Sequence, residues 1–302
     1  MLFNLSFRVR PAPQPVAPVI AAATPRPRRA AFPAPDATRL VILLHCSASS
    51  GGQWQALTRA AGERYAVVAP DFDAASFADD ELPRLRDEVA WLRDVADRHG
   101  ETFHLVGHSY GGAVALRAAL DMPERIASLT LVEPVAFHLL RPFAPLWLEI
   151  RAVAQALGDA VRVGAPADGM KRFIDYWNGA GTWESLPEAE RARLAGCGER
   201  TVREFAAVFA ETADLRDYAR LAMPALLLAG ENTTAPCRKL VDQLSVVLPR
   251  LRREIVAGAG HMAPLTHGEA INRLVLDHLR ACTERPAAPP PVDGAAALRR
   301  YS

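Results

Sequence analysis

Phe103-His104-Leu105-Val106-Gly107-His108-Ser109-Tyr110-Gly111-Gly112 runs from an apolar stretch into a G-x-S-x-G pentapeptide, and the small residues Ala113-Val114-Ala115 continue past it. The order reads as strand, tight turn, helix, which is the setting of a nucleophile elbow. A serine at the apex of such a turn stands on a strained backbone, with its hydroxyl raised above the sheet. Glycine at 107 and 111 lets strand and helix approach where a Cβ would clash. The N-terminus of the following helix brings N–H groups and a positive dipole end to the same point. Ser109 is therefore the candidate nucleophile.

Outward from this stretch, strands and helices alternate. Leu40-Val41-Ile42-Leu43-Leu44 is a continuous apolar run, as in a parallel strand covered on both faces. Residues 65–70, 102–107, 126–132, 225–229 and 251–256 read as further strands. Helices are expected over 50–61, 79–99, 112–120, 237–248 and 268–280; the second carries Leu82, Leu85, Val89, Leu92 and Val95 at spacings of three and four. The repeated β–α pattern implies an α/β fold: a mostly parallel sheet of about six strands with right-handed crossovers and helices on both faces.

Residues 137–220 break the rhythm. They read as several helices punctuated by Pro142, Pro145, Pro166 and Pro187 and carrying Trp147, Trp177 and Trp183. Placed after the strand at 126–132, such an insertion would form a helical lid over the carboxyl end of the sheet, where open α/β sheets bind ligands. The core is then expected at 39–136 and 221–283. Residues 1–38 are rich in proline and arginine, with Asp36 their sole acid, and read as a disordered extension; residues 284–302 read as a disordered tail.

The chain has 302 residues, half of them hydrophobic, with a net charge of +1. That permits a sizeable core and gives no broad basic surface for nucleic acid. No apolar run reaches the roughly 18 residues of a membrane span. The four cysteines, Cys46, Cys197, Cys237 and Cys282, form no C-x-x-C pair, so a reducing, cytoplasmic setting is expected. His104 and His108 are four apart but on a strand, so they do not form a helical metal pair. No metal or cofactor is expected, and the expected partner is a small molecule.

A serine hydroxyl is a weak nucleophile and needs a base. His261, in Ala257-Gly258-Ala259-Gly260-His261, follows the last strand at the end of the sheet where Ser109 should emerge. Two backbone N–H groups are needed for an oxyanion. Tyr110, next to the nucleophile, supplies one; the loop His45-Cys46-Ser47 supplies the other, with Ser47 ahead of Cys46. Asp71 and Asp73 end the second strand near the same rim and read as a solvated loop or a substrate contact.

These loops together resemble the α/β-hydrolase superfamily over roughly residues 39–282. The resemblance implies a serine-nucleophile, lid-bearing fold, shortened by two strands at the N-terminus, and acyl chemistry on a small ester, thioester or related compound. It also implies an acid after the next-to-last strand, in a Gly-Glu-x-Asp setting. Here that stretch is Gly230-Glu231-Asn232-Thr233, with threonine at the acid's position. Glu133, in Leu131-Val132-Glu133-Pro134, is the leading substitute, because some branches place the acid at that strand end; Glu231 is the alternative. An absent acid would favour a ligand receptor with little catalysis, and the same residues could also serve an acyltransferase or a carbon–carbon hydrolase.

Overall fold

The computed structural model describes residues 39–72 and 82–284. The expectations for residues 1–38, for the tail beyond Glu284 and for Asp73 fall outside them. Six parallel strands form one sheet: β1 (Leu40–Leu44), β2 (Ala66–Val68), β3 (Phe103–His108), β4 (Ile126–Val132), β5 (Ala225–Gly230) and β6 (Leu251–Val256). Their order is β2-β1-β3-β4-β5-β6. The chain thus moves one way from β1 to β2 and then returns past β1 to β3. Crevices at such a switch point are where open parallel sheets hold ligands.

Alternation along the strands supplies two cores. Leu40, Ile42 and Leu44 face one, with Leu105, Leu129 and Leu227. Val41 and Leu43 face the other, with Val106, Val132, Leu226 and Leu228. Helices α1 (Gln55–Ala61), α2 (Leu85–Asp97) and α3 (Tyr110–Asp121) follow the first three strands. Val89 and Leu92 of α2 and Val114 of α3 cover the first face, while Leu57 of α1 covers the second.

Two helix starts fall well inside the expected spans. Residues 51–54 form a 3-10 turn ahead of α1. The amphipathic helix begins at Leu85, not at 79: Leu82 is 74% exposed, and Pro83 favours an extended residue before it. Arg84 then caps the helix, its N–H donating to the Asp87 carboxylate at 2.8 Å.

Between β4 and β5 lie α4 (Ala144–Arg162), α5 (Pro166–Asn178), α6 (Thr182–Ser185), α7 (Glu188–Gly196), α8 (Gly198–Ala210) and α9 (Leu215–Tyr218). Pro145 and Pro166 stand in the first turns of α4 and α5, where a missing N–H costs nothing. The insertion meets the core through aromatic rings. Phe137, just past β4, stacks on Trp177 of α5 and on Phe205 of α8, both with ring centres 6.3 Å apart. The last three helices, α10 (Ala235–Val247), α11 (Ala263–Thr266) and α12 (Gly268–Thr283), complete the two faces. Ile271, Val275 and Leu279 of α12 join Leu57 of α1 on the second core.

Candidate active site

β3 delivers Ser109 with φ 54° and ψ −113°, a conformation that L-residues rarely adopt. The crossing that forces it is tight. A Cβ on Gly107 would lie 2.3 Å from the Gly111 carbonyl oxygen, and one on Gly111 would lie 2.5 Å from that of Leu44. The Ser109 N–H donates to the Val132 carbonyl at 3.0 Å, tying the turn to β4.

Gly107 and His108 pair in register with Leu131 and Val132, so Ser109 and Glu133 are the next positions on neighbouring strands. Glu133 also has positive φ, 43°, and its N–H donates to the Leu228 carbonyl at 2.9 Å. The left-handed turn lets the side chain reach β5 instead of continuing along the ladder. Its Oε1 accepts the Gly230 N–H at 2.7 Å, and its Oε2 accepts the Thr233 hydroxyl at 2.6 Å. The same Oε2 accepts His261 Nδ1–H at 2.7 Å. Glu133 is fully buried. Burial alone would raise its pKa. The His261 hydrogen bond and charge, with Thr233 and Gly230, outweigh that and hold it below the ordinary carboxylate value.

His261 Nε2 accepts the Ser109 Oγ–H at 2.9 Å, so hydroxyl, imidazole and carboxylate form one continuous hydrogen-bonded path. The imidazole is braced on two further sides. The Trp177 ring stacks on it with centres 4.1 Å apart and planes at 29°. His108 donates Nε2–H to the His261 carbonyl at 2.9 Å, while its Nδ1 accepts from Gln53 Nε2 at 3.1 Å. Burial, helped by the neighbouring His261, pushes His108 down to about 3, so it is neutral and keeps this pattern. The Cys237 Sγ lies 3.8 Å from His261 Nδ1, and burial raises that thiol, so it stays protonated.

The loop after β1 runs beside the elbow: Gly111 N–H donates to the His45 carbonyl at 3.1 Å. Cys46 N–H is engaged by Gln53 Oε1 at 3.2 Å, and Ser47 lines the cavity beside Ser109. The Cys46 thiol is buried and pushed up to about 12, chiefly by desolvation. Arg193 of α7 donates to the Ala48 carbonyl at 3.1 Å, so the insertion holds this loop from outside.

The remaining sequence candidates lie elsewhere. The Glu231 carboxylate accepts the Gly258 N–H at 2.8 Å. Asp71 accepts the Gly51 N–H and shapes a turn. Of the three insertion tryptophans, Trp177 reaches the site. Thr233, His108 and Glu204 were not singled out by the sequence. For Thr233 the signal was its place where an aspartate was expected; for the other two there was none.

A narrow cavity opens beside Ser109. Its apolar wall is Val135, Phe137, Phe173, Trp177, Phe205 and Val208. Ser47, Tyr110 and Glu204 supply the polar part of its lining. Among the described residues, no helix is long and apolar enough to cross a membrane.

The sequence profile of the alpha/beta hydrolase family matches residues 41–274. Carboxylesterase YbfK of Bacillus subtilis is 25% identical over 251 residues, covering 79% of each chain. Its crystal structure superimposes with a TM-score of 0.64 at 23% identity, over 81% of this chain and 85% of that one. Pimeloyl-[acyl-carrier protein] methyl ester esterase of Nitrosomonas europaea is 22% identical over 240 residues, 76% of this chain and 91% of its own. The structure of MenH from S. aureus superimposes with a TM-score of 0.68 at 16% identity, over 81% of this chain and 94% of that one. Profile, sheet order and elbow agree, and the chain belongs to the alpha/beta hydrolase family.

Proposed function

We propose that this chain is a serine esterase acting on a small ester or related acyl compound through Ser109, His261 and Glu133. The observation that carries the reading is the path from Ser109 Oγ to His261 Nε2 at 2.9 Å and from His261 Nδ1 to Glu133 Oε2 at 2.7 Å. His261 takes the Ser109 proton as the hydroxyl attacks the carbonyl carbon. The oxyanion rests on the N–H groups of Tyr110 and Ser47. His261 then protonates the leaving oxygen, and the alcohol departs. Water, giving its proton to His261, attacks the acyl-enzyme and releases the acid. Glu133 fixes the Nδ1–H tautomer and stabilises the imidazolium. No step calls for a cofactor.

Relatives named as a carboxylesterase and a methyl ester esterase support ester cleavage, and the apolar cavity wall supports a small, weakly polar substrate. Helices α4 to α9 act as the lid that shapes this cavity, and we read the compartment as cytoplasmic from four cysteines that form no disulfide. The test is intact mass after exposure to a fluorophosphonate. One adduct is expected on the wild type and none on Ser109→Ala. A folded wild type that takes no adduct overturns the reading.

A further inference from the structure

Glu204 is the anomaly of the cavity. It sits on the inward face of α8, is 3% exposed, and stands among aromatic and aliphatic side chains beside Ser109 and Ser47. Packing alone would be served there by an apolar residue of similar size, since buried carboxylates are costly unless paired. One oxygen is paired: Oε1 accepts Arg200 Nε–H at 3.0 Å. The other, Oε2, is buried and has no hydrogen-bond partner. Arg200 also pairs with Glu88, which accepts the Tyr110 hydroxyl at 3.0 Å. Two carboxylates therefore share one guanidinium at the back of the cavity.

We infer that Glu204 is the specificity anchor of the cavity and that the substrate carries a neutral hydroxyl on the short group lodged there. The inference rests on the esterase reading above. A substrate hydroxyl admitted by a shift of the apolar wall can donate to Oε2. A hydrocarbon leaves Oε2 unpaired. A carboxylate meets the second negative charge of the Glu88–Arg200–Glu204 cluster, and an ammonium meets the guanidinium already bound at Oε1. Burial raises Glu204 above the ordinary carboxylate value, against Arg200 and the nearby Ser47 hydroxyl, which lower it. A hydroxyl suits either protonation state, because it both donates and accepts.

The experiment compares kcat/KM for isosteric pairs. Phenyl 3-hydroxybutanoate against phenyl 3-methylbutanoate places the hydroxyl on the acyl side. 2-Hydroxyethyl butanoate against propyl butanoate places it on the alcohol side. Phenyl 3-aminobutanoate and phenyl hemisuccinate carry the two charges. In the wild type, the hydroxyl member of one pair is expected to lead by about tenfold or more, ahead of both charged esters. The lead should fall to near one in Glu204→Leu and persist in Glu204→Gln, whose amide also donates and accepts. Circular dichroism and melting check that both variants fold. A wild type that prefers neither hydroxyl ester, or prefers a charged one, overturns the inference without any variant. So does an equal lead in wild type and folded Glu204→Leu. Failure of every ester together with no fluorophosphonate adduct overturns the esterase reading itself.

Discussion

Glu133 holds two places at once. It closes the hydrogen-bonded path to His261, and it ties β4 to β5 through the Gly230 amide and the Thr233 hydroxyl. The amide of Glu133→Gln cannot hold the imidazolium by charge, and it must turn either its NH2 or its carbonyl toward His261 Nδ1–H. A loss of about three to four orders of magnitude in kcat is expected, with Ser109 and the fold in place. Steady-state kinetics with circular dichroism check it; a loss below tenfold would sink the role given to Glu133. The carboxylate was visible in the sequence as an acid closing the strand at 126–132, in competition with Glu231. The family resemblance put Glu133 ahead, but the residues alone left Glu231 open, because the geometry turns on a left-handed backbone at 133 that sends the side chain sideways. Thr233 could be read only as a missing aspartate; the structure makes it a hydrogen-bond donor to the acid on the neighbouring strand.

The elements were easier to read. Continuous apolar runs marked β1 and β5, because strands covered on both faces have no polar side to disguise them. Boundaries were harder where local chemistry overrides periodicity: Pro83 and the Arg84 cap move the start of α2 past Leu82, whose spacing alone would include it. The elbow is the element least free to vary. In Gly111→Ala the new methyl meets the Leu44 and His45 carbonyls at 2.5 and 2.6 Å, and backbone must shift. A loss of about 2 kcal/mol or more is expected from chemical denaturation, together with loss of activity, since the displaced loop carries Ser47. Wild-type stability in this variant would contradict the packing described. Helix α5 lines the cavity with Phe173 and Trp177, and Trp177 is the ring that stacks on His261. Trp177→Ala removes the stack on His261 and opens the cavity, at about 3–5 kcal/mol by the usual cost of emptying a core aromatic site. Trp177→Phe keeps a ring and should retain most of the activity. If both variants matched wild type in kcat and melting temperature, the stack would have no bearing on the imidazole.

Across the molecule, histidines set the response to acid. Burial lowers His45, His108, His138 and His278, to about 3 for His108 and about 4 for His138 and His278. The unfolded chain takes up these protons as pH falls through about 6.5, while the folded chain takes them up only at lower pH, lower for His108 than for His138 and His278. Stability therefore declines from pH 6.5 downward, each histidine contributing up to about 1.4 kcal/mol per pH unit until it too is protonated in the fold. Glu133 acts in a lower window: its depressed pKa gives stability above the ordinary carboxylate value, lost as pH drops through its folded value. Calorimetry should show the melting temperature falling steadily between pH 6.5 and 4. A flat profile there would contradict the burial of these rings.

The order of the strands also decides which piece of chain owns which part of the chemistry. β2, β1, β3 and β4 are contiguous in the sheet and all precede the helical insertion; β5 and β6 are added at one edge after it. Ser109 and Glu133 thus belong to the first portion and His261 to the second. A cut at the Leu186–Pro187 junction, between α6 and α7, divides the protein into two halves, each chemically mute. The amino-terminal half keeps a hydroxyl and a carboxylate with nothing to relay a proton between them; the carboxyl-terminal half keeps a base with nothing to activate. Mixed, the halves should label with fluorophosphonate only as fast as β5 docks along β4, which makes the appearance of the adduct a clock for closing the sheet.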